Sequence, residues 1–154
     1  DTYNLWRERM DVLLCQDGVI YKGMVGQKTL SDYFSKAGFI LYPTSFPETG
    51  CLTVIKAMAN GCIPITSRYE YSVLPELTAG FDLGPRQQLT VSLVEGGNMT
   101  AWVADWQNSV VSAWWQASHE SRNDILELRR RMIAHTRNQY SWQKSADLFL
   151  SVLH

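Results

Sequence analysis

The chain has no uncharged apolar run approaching the roughly 18 residues that a membrane-spanning helix needs, and no apolar leader opens it. It has no surplus of either charge: 14 Lys and Arg stand against 15 Asp and Glu, for a net charge of −1. That balance gives no electrostatic reason to expect nucleic acid or an anionic membrane surface as a partner. The three cysteines, Cys15, Cys51 and Cys62, are odd in number and lack metal or disulfide spacing. They are expected as free thiols in a reducing, cytoplasmic compartment. His119, His135 and His154 show no ligand spacing either, so no metal is expected. No internal repeat and no low-complexity tract occurs. The chain opens at Asp1 without an initiator methionine, which leads us to expect a piece of a longer protein.

What is present is globular: hydrophobic residues make up 45% of 154 positions, and residues 1–154 are expected to form one domain. Residues 1–17 mix Leu5, Trp6, Met10, Val12, Leu13 and Leu14 with charges, which predicts a helix. After Gly18, the run Val19-Ile20-Tyr21 reads as a short strand. Thr29-Leu30-Ser31-Asp32 loosely fits a capping box opening a helix through Tyr33 and Phe34. Phe39-Ile40-Leu41-Tyr42 is a continuous apolar run that suits a strand buried on both faces. Residues 43–50 read as loop and 53–60 as helix, stopped by Gly61, where a left-handed conformation is cheapest. Ile63-Pro64-Ile65-Thr66 reads as a further strand, its proline placing it at a strand start or an edge. This alternation predicts an α/β fold, a Rossmann-like parallel sheet flanked by helices.

Beyond Thr66 the pattern is irregular, with a possible strand over 89–94, and then turns helical. Trp102, Trp106, Val110 and Trp114 recur every four residues and predict one core-facing aromatic stripe. Ile125, Leu128, Met132 and Ile133 mark a second helix, with Arg129, Arg130 and Arg131 on its solvated edge. Ser141 is placed to cap a last helix with Trp142, Ala146, Phe149, Leu150 and Leu153 inward. The chain thus ends in a helical tail.

The chemistry-bearing stretch runs from Tyr42 to Pro64. A buried strand ends at Pro43, a loop carries the acid Glu48, and a helix starts near Cys51. In open α/β sheets, ligands sit beyond the carboxyl ends of strands. The helix start offers the unpaired amides of Gly50, Cys51, Leu52 and Thr53 with the positive end of the helix dipole behind them. Gly50 adds no side chain to obstruct a ligand. Such a junction can cradle a diphosphate; it is equally how many parallel sheets join strand to helix.

The residues themselves resemble the donor site of retaining glycosyltransferases built from two Rossmann-like domains (the GT-B architecture, family 4 or group 1). The pieces are Pro43-Thr44, Glu48, Gly50-Cys51-Leu52, Ala57-Met58-Ala59-Asn60-Gly61 and Ile63-Pro64-Ile65. Gly23-Met24-Val25-Gly26 is similar to that family's Gly-x-Val turn. Leu74-Pro75-Glu76-Leu77 is similar to its Pro-Glu element, and Tyr140-Ser141-Trp142 to the Ser-Trp that opens its closing helix. The likeness covers residues 17–84 well and the tail loosely.

The resemblance implies a donor-nucleotide domain, the C-terminal half of a larger hexosyltransferase whose N-terminal half holds the acceptor. The donor would be a nucleotide-diphosphate sugar such as a UDP-sugar, with no metal or other cofactor. Glu48 would accept hydrogen bonds from sugar hydroxyls. The amides of Gly50, Cys51 and Leu52 would hold sugar hydroxyls and the distal phosphate, Thr53 adding a hydroxyl. Met24, Val25 and Gly26 would lie near the base. The family's second acid, eight residues beyond the first, corresponds to Lys56. An ammonium only donates, so it would serve a ribose oxygen or a phosphate instead. The family's Gly-Arg…Lys element, which neutralises the leaving diphosphate, has no match in residues 1–30. Two further readings stand beside this one: a non-catalytic interaction domain that keeps the fold, with Lys56 as the sign of a lost site, and another Rossmann-like nucleotide-binding module. Membrane association through the missing half is left open. Catalysis of this kind needs donor and acceptor held together. Residues 1–154 alone are therefore expected to transfer no sugar, and transfer by the isolated chain would overturn that expectation.

Overall fold

A computed structural model describes residues 2–119 and 122–153. Asp1 and His154 lie outside the described residues, as does the side chain of Leu153, which the sequence reading placed inward. The chain is mixed α/β and mostly helical, with a small parallel sheet of two strands. It packs as two compact units, Asp1–Leu30 and Ser31–His154. Each is described by itself.

The first unit holds helix α1, Thr2–Leu14, as its amphipathic pattern predicts. Tyr3 and Trp6 stack with ring centroids 6.5 Å apart. Residues 19–21 form no strand. The Val19 amide instead closes a turn on the Gln16 carbonyl at 3.0 Å, after Gly18 at φ 84°. Three apolar residues have no pairing partner here, and a lone strand has nothing to bond its backbone to. Helix α2, Gln27–Lys36, starts before the expected capping box. Its first turn closes when the Leu30 amide donates to the Gly26 carbonyl at 3.0 Å, so Gly26 is the entry point. α2 continues into the second unit.

The second unit is organised around β1 (Phe39–Tyr42), α3 (Leu52–Ala59) and β2 (Ile63–Thr66). The strands run parallel, Phe39 facing Ile63 and Tyr42 facing Thr66. All four β2 residues are buried, whereas Leu41 of β1 is 48% exposed. β1 is therefore only partly buried, against the expectation of burial on both faces: Ile40 joins the main core with Phe39 and Tyr42 packed against it, while Leu41 is left open. Pro64 stands second in a strand of that narrow sheet, where its missing donor costs least; its carbonyl accepts from the Leu83 amide at 3.0 Å.

The main core joins Ile40 and Ile63 of the sheet to Val54, Ala57 and Met58 of α3, Leu74 and Leu77 of α4 (Leu74–Leu77), Phe81, and Met132. Met132 belongs to α7, Arg122–Gln139, which packs on α3 with Ile125 and Leu128 beside it. Burial of each such large side chain contributes about 1.5–3 kcal/mol. α7 also completes the carboxyl end of α3. Arg137 Nε donates to the Ala59 carbonyl at 2.9 Å, a cation against the negative end of the helix dipole. Arg129 is half-buried and donates to the Ala37 carbonyl at 3.4 Å, so it does not belong to the solvated edge on which Arg130 and Arg131 remain. Gly61, at φ 96°, turns the chain from α3 into β2, and a Cβ there would meet Arg129 Nε at 2.6 Å.

A second cluster gathers Tyr69, Leu89 and Trp102 with Met99 and Trp106. Trp102 lies on α6, Thr100–Ser118. The aromatic stripe fades outward along this helix: Trp102 is 4% exposed, but Trp114 is 55% exposed. The expected strand over 89–94 is replaced by α5, Val91–Glu95, because the Thr90 hydroxyl accepts from the Leu93 amide at 3.3 Å and nucleates a turn. The last helix, α8 (Trp142–Leu153), is capped as expected, the Lys144 amide donating to Ser141 Oγ at 3.2 Å. Its apolar residues are not inward. Trp142 is 89% and Phe149 67% exposed, and Ala146 and Leu150 are exposed as well. No described helix is long and apolar enough to cross a membrane.

One polar centre ties β2 to the segment after α4. The Asp82 carboxylate, 3% exposed, accepts from the amides of Thr66 (3.1 Å) and Gly84 (2.7 Å), from both threonine hydroxyls of Thr66 and Thr78, and pairs with Arg68 at 3.4 Å. Gly84 is required there, since a Cβ would stand 2.4 Å from the Thr66 carbonyl. Asp82→Ala strips a buried acceptor from several donors at once and should cost about 3 kcal/mol or more, read as a shift in the urea midpoint. Arg68, 26% exposed, should cost clearly less on replacement by Ala. Equal losses would show that the ion pair, not the buried acceptor, carries the effect.

Candidate functional site

The loop between β1 and α3 is held at both ends. At its start the Thr44 amide donates to Ser67 Oγ at 3.2 Å, and the Ser67 hydroxyl donates back to the Thr44 carbonyl. This couples the exits of the two strands. The Thr44 hydroxyl then accepts from the Phe46 amide at 3.0 Å. Farther on, the Glu48 amide donates to the Phe46 carbonyl at 2.9 Å, while the Glu48 carbonyl accepts from the Val73 amide at 2.8 Å, just ahead of α4. A tight turn therefore presents Glu48, and its main chain is pinned.

The Glu48 side chain is half-buried and its Oε1 accepts from the Tyr42 hydroxyl at 2.6 Å. Tyr42 is the last residue of β1. Its hydroxyl is pushed well above the ordinary tyrosine range, first by the bond to the Glu48 carboxylate, then by burial and by the neighbouring Cys51 thiol. Cys51, 4% exposed, is the N-cap of α3, and its side chain accepts no capping bond. The first amides of α3 consequently lack the side-chain acceptor that most helix starts use. Gly50 precedes them with no positive φ and no heavy atom within 4 Å of a Cβ built on it. Neither conformation nor packing within the chain demands glycine at that position.

The structure thus brings Glu48, Gly50, Cys51, Leu52 and Thr53 together on one loop and the first turn of one helix. Leu52 and Thr53 are exposed, and Cys51 is buried. Lys56, also exposed, lies one turn along α3 from Leu52 and Thr53. It lines a cavity of about 410 Å³ with Leu52, Ile55, Gln139, Tyr140, Trp142 and Ser145. Met24, Val25 and Gly26 belong to the first unit, where Met24 is fully exposed and Gly26 starts α2. A larger cavity, about 820 Å³, opens around Arg68, Thr78, Asp82 and Arg86. It contains none of the sequence-predicted residues, and its most buried charge, Asp82, is already saturated with donors. The loop-and-helix site is the better functional candidate because its acid, Glu48, keeps acceptor capacity that Asp82 has spent on donors within the protein.

Among the described residues no group of three His, Cys, Asp or Glu side chains stands together as a metal-ligand set. Of the histidines, His119 stacks on Trp115 with centroids 3.9 Å apart and His135 lies against Phe81. The residue that sequence reading missed is Tyr42, taken only as strand. The available signal was chemical: a tyrosine ending a buried strand brings a hydroxyl that must find a partner. Comparison with known proteins finds no matching family model, no matching curated protein and no matching solved structure.

The Tyr42–Glu48 bond has a pH signature. An acid whose ionisation is raised by folding adds stability that is complete below its unfolded value, about 10 for tyrosine. That stability is lost as pH rises through the higher folded value. In a spectrophotometric or NMR titration Tyr42 should stay protonated through the ordinary tyrosine value of about 10, and Glu48→Gln should bring it down towards that value. Ionisation of Tyr42 at the ordinary value in the wild-type chain would exclude the bond.

Proposed function

We propose that the second unit is the donor-binding half of a retaining glycosyltransferase of the two-domain, Rossmann-like kind, and that it holds a nucleotide-diphosphate sugar at the start of α3. The observation that carries this reading is an acid pinned in the loop beyond a parallel strand, directly before a helix whose first amides have no side-chain cap. Anions are favoured at such a helix start by the unpaired amides and the dipole together. A carboxylate beside it accepts sugar hydroxyls, and the unobstructed Gly50 lets the donor approach the backbone.

In this reading Glu48 takes hydroxyls of the hexose. The amides of Gly50, Cys51 and Leu52, with the Thr53 hydroxyl, take the distal phosphate and the remaining sugar hydroxyls. Lys56, on the wall of the 410 Å³ cavity, donates to a ribose oxygen or a phosphate where the family has an acid. The acceptor and the cations that neutralise the leaving diphosphate come from a partner domain, and no metal is invoked. Lys56 at the position of the family's second acid favours one other reading, an interaction domain that has kept the fold and lost the donor.

Calorimetric titration with UDP, GDP, ADP and their hexose conjugates separates the two. Binding of a sugar nucleotide, with NMR shifts centred on residues 48–53, is expected; silence towards all of them favours the interaction domain. Glu48→Gln removes a charged acceptor worth roughly 1.5–3 kcal/mol. It should therefore weaken the sugar nucleotide by about tenfold or more and leave the free nucleotide nearly unchanged. Equal losses for both ligands would contradict the role given to Glu48.

A further inference from the structure

We propose that Tyr42 is a positioning residue that fixes the orientation of the Glu48 carboxylate, so that Oε2 and one remaining lone pair of Oε1 are what a donor sugar meets. This rests on the reading of Glu48 as a sugar-hydroxyl acceptor. Tyr42 is well placed for the task. Its backbone is fixed by parallel pairing opposite Thr66, and its ring packs at the edge of the main core. Pro43 follows it and restrains the exit of the strand. Glu48, by contrast, sits in a loop on a long side chain with three rotatable bonds. Among the described residues, the Tyr42 hydroxyl at 2.6 Å is the only hydrogen-bond partner of its carboxylate, and no ion pair holds it.

The loop's own cross-links hold the Glu48 main chain through the Phe46 carbonyl and the Val73 amide. They do not reach its carboxylate. A charge-assisted hydroxyl–carboxylate bond is short and directional. It therefore carries the rigidity of the sheet six residues along the chain to the one acid of the site. The geometry also limits specificity. With one lone pair of Oε1 taken by Tyr42, a vicinal pair of sugar hydroxyls cannot bind as it would to a fully open carboxylate. The favoured sugar presents its hydroxyls chiefly to Oε2. Tyr42 touches no ligand in this scheme and acts through Glu48 alone.

Tyr42→Phe keeps the ring and deletes only the hydroxyl. Side-chain ordering on binding is worth roughly 0.5–1.5 kcal/mol, so the variant should bind the sugar nucleotide about three- to tenfold more weakly and the free nucleotide as before. In a Glu48→Gln background the same change should cost little, because the acceptor it orients has gone. Replacement of Tyr42 by 4-aminophenylalanine, which restores a donor at that position, should recover binding. Wild-type binding of sugar nucleotides with no loss in Tyr42→Phe overturns this proposal and spares the donor-site reading. So do equal losses for sugar nucleotide and free nucleotide, or losses that simply add to those of Glu48→Gln. A Tyr42→Phe chain that fails to fold, with no recovery by 4-aminophenylalanine, assigns the hydroxyl to stability and overturns the proposal as well. Absence of any sugar-nucleotide binding by the wild-type chain overturns both.

Discussion

The second unit depends on the parallel pairing of β1 with β2 in one register. Four residues on each side are enough because the crossover helix α3 packs on both strands and α7 packs on α3, so the short strands share a core with two helices. The register has chemical consequences at both strand ends. It sets Tyr42 opposite Thr66, and from that level each strand sends out a polar contact. Tyr42 meets Glu48, and Thr66 meets Asp82. The reciprocal bonds between Thr44 and Ser67 lock the two exits together. A shift of one residue would turn every side chain to the other face and break all of these at once.

The two exits are chemically unlike. At β2 the carboxylate of Asp82 is almost fully buried and surrounded by donors, with Arg68 alongside. That acid holds structure: its acceptor capacity is spent inside the protein. At β1 the carboxylate of Glu48 is half-buried, with one donor on one oxygen, beside a helix start without a side-chain cap. Unspent hydrogen-bonding capacity, rather than cavity size, distinguishes the candidate site from the larger depression near Arg68. The same criterion explains why Cys51 contributes little chemistry through its thiol, which is buried at the N-cap position and faces Tyr42.

Much of the strand–helix–strand unit was legible because its signals are local. The Phe39–Tyr42 and Ile63–Thr66 runs, the α3 pattern and the left-handed stop at Gly61 each follow from neighbouring residues. The readings that failed needed a partner that local pattern does not specify. Val19-Ile20-Tyr21 has strand composition and nothing to pair with. The 89–94 segment has apolar residues, but Thr90 turns it into a helix. The α8 residues are amphipathic in pattern, yet Trp142 and Phe149 are left exposed. Arg129 looked like a solvent cation, and α7 packing brought it to the Ala37 carbonyl.

By itself the sequence determined that residues 39–66 alternate strand and helix, that Glu48 lies in the connecting loop, and that Gly50 to Thr53 open the helix. Periodicity, turn chemistry and helix-end preferences act over a few residues, so adjacent letters suffice to express them. Only the tertiary structure decided what each polar group meets. The Tyr42 hydroxyl on Glu48, the Ser67 hydroxyl on Thr44 and the donors gathered on Asp82 arise from strand register and helix packing. Those depend on how distant segments fill a shared core, and no local pattern carries that information.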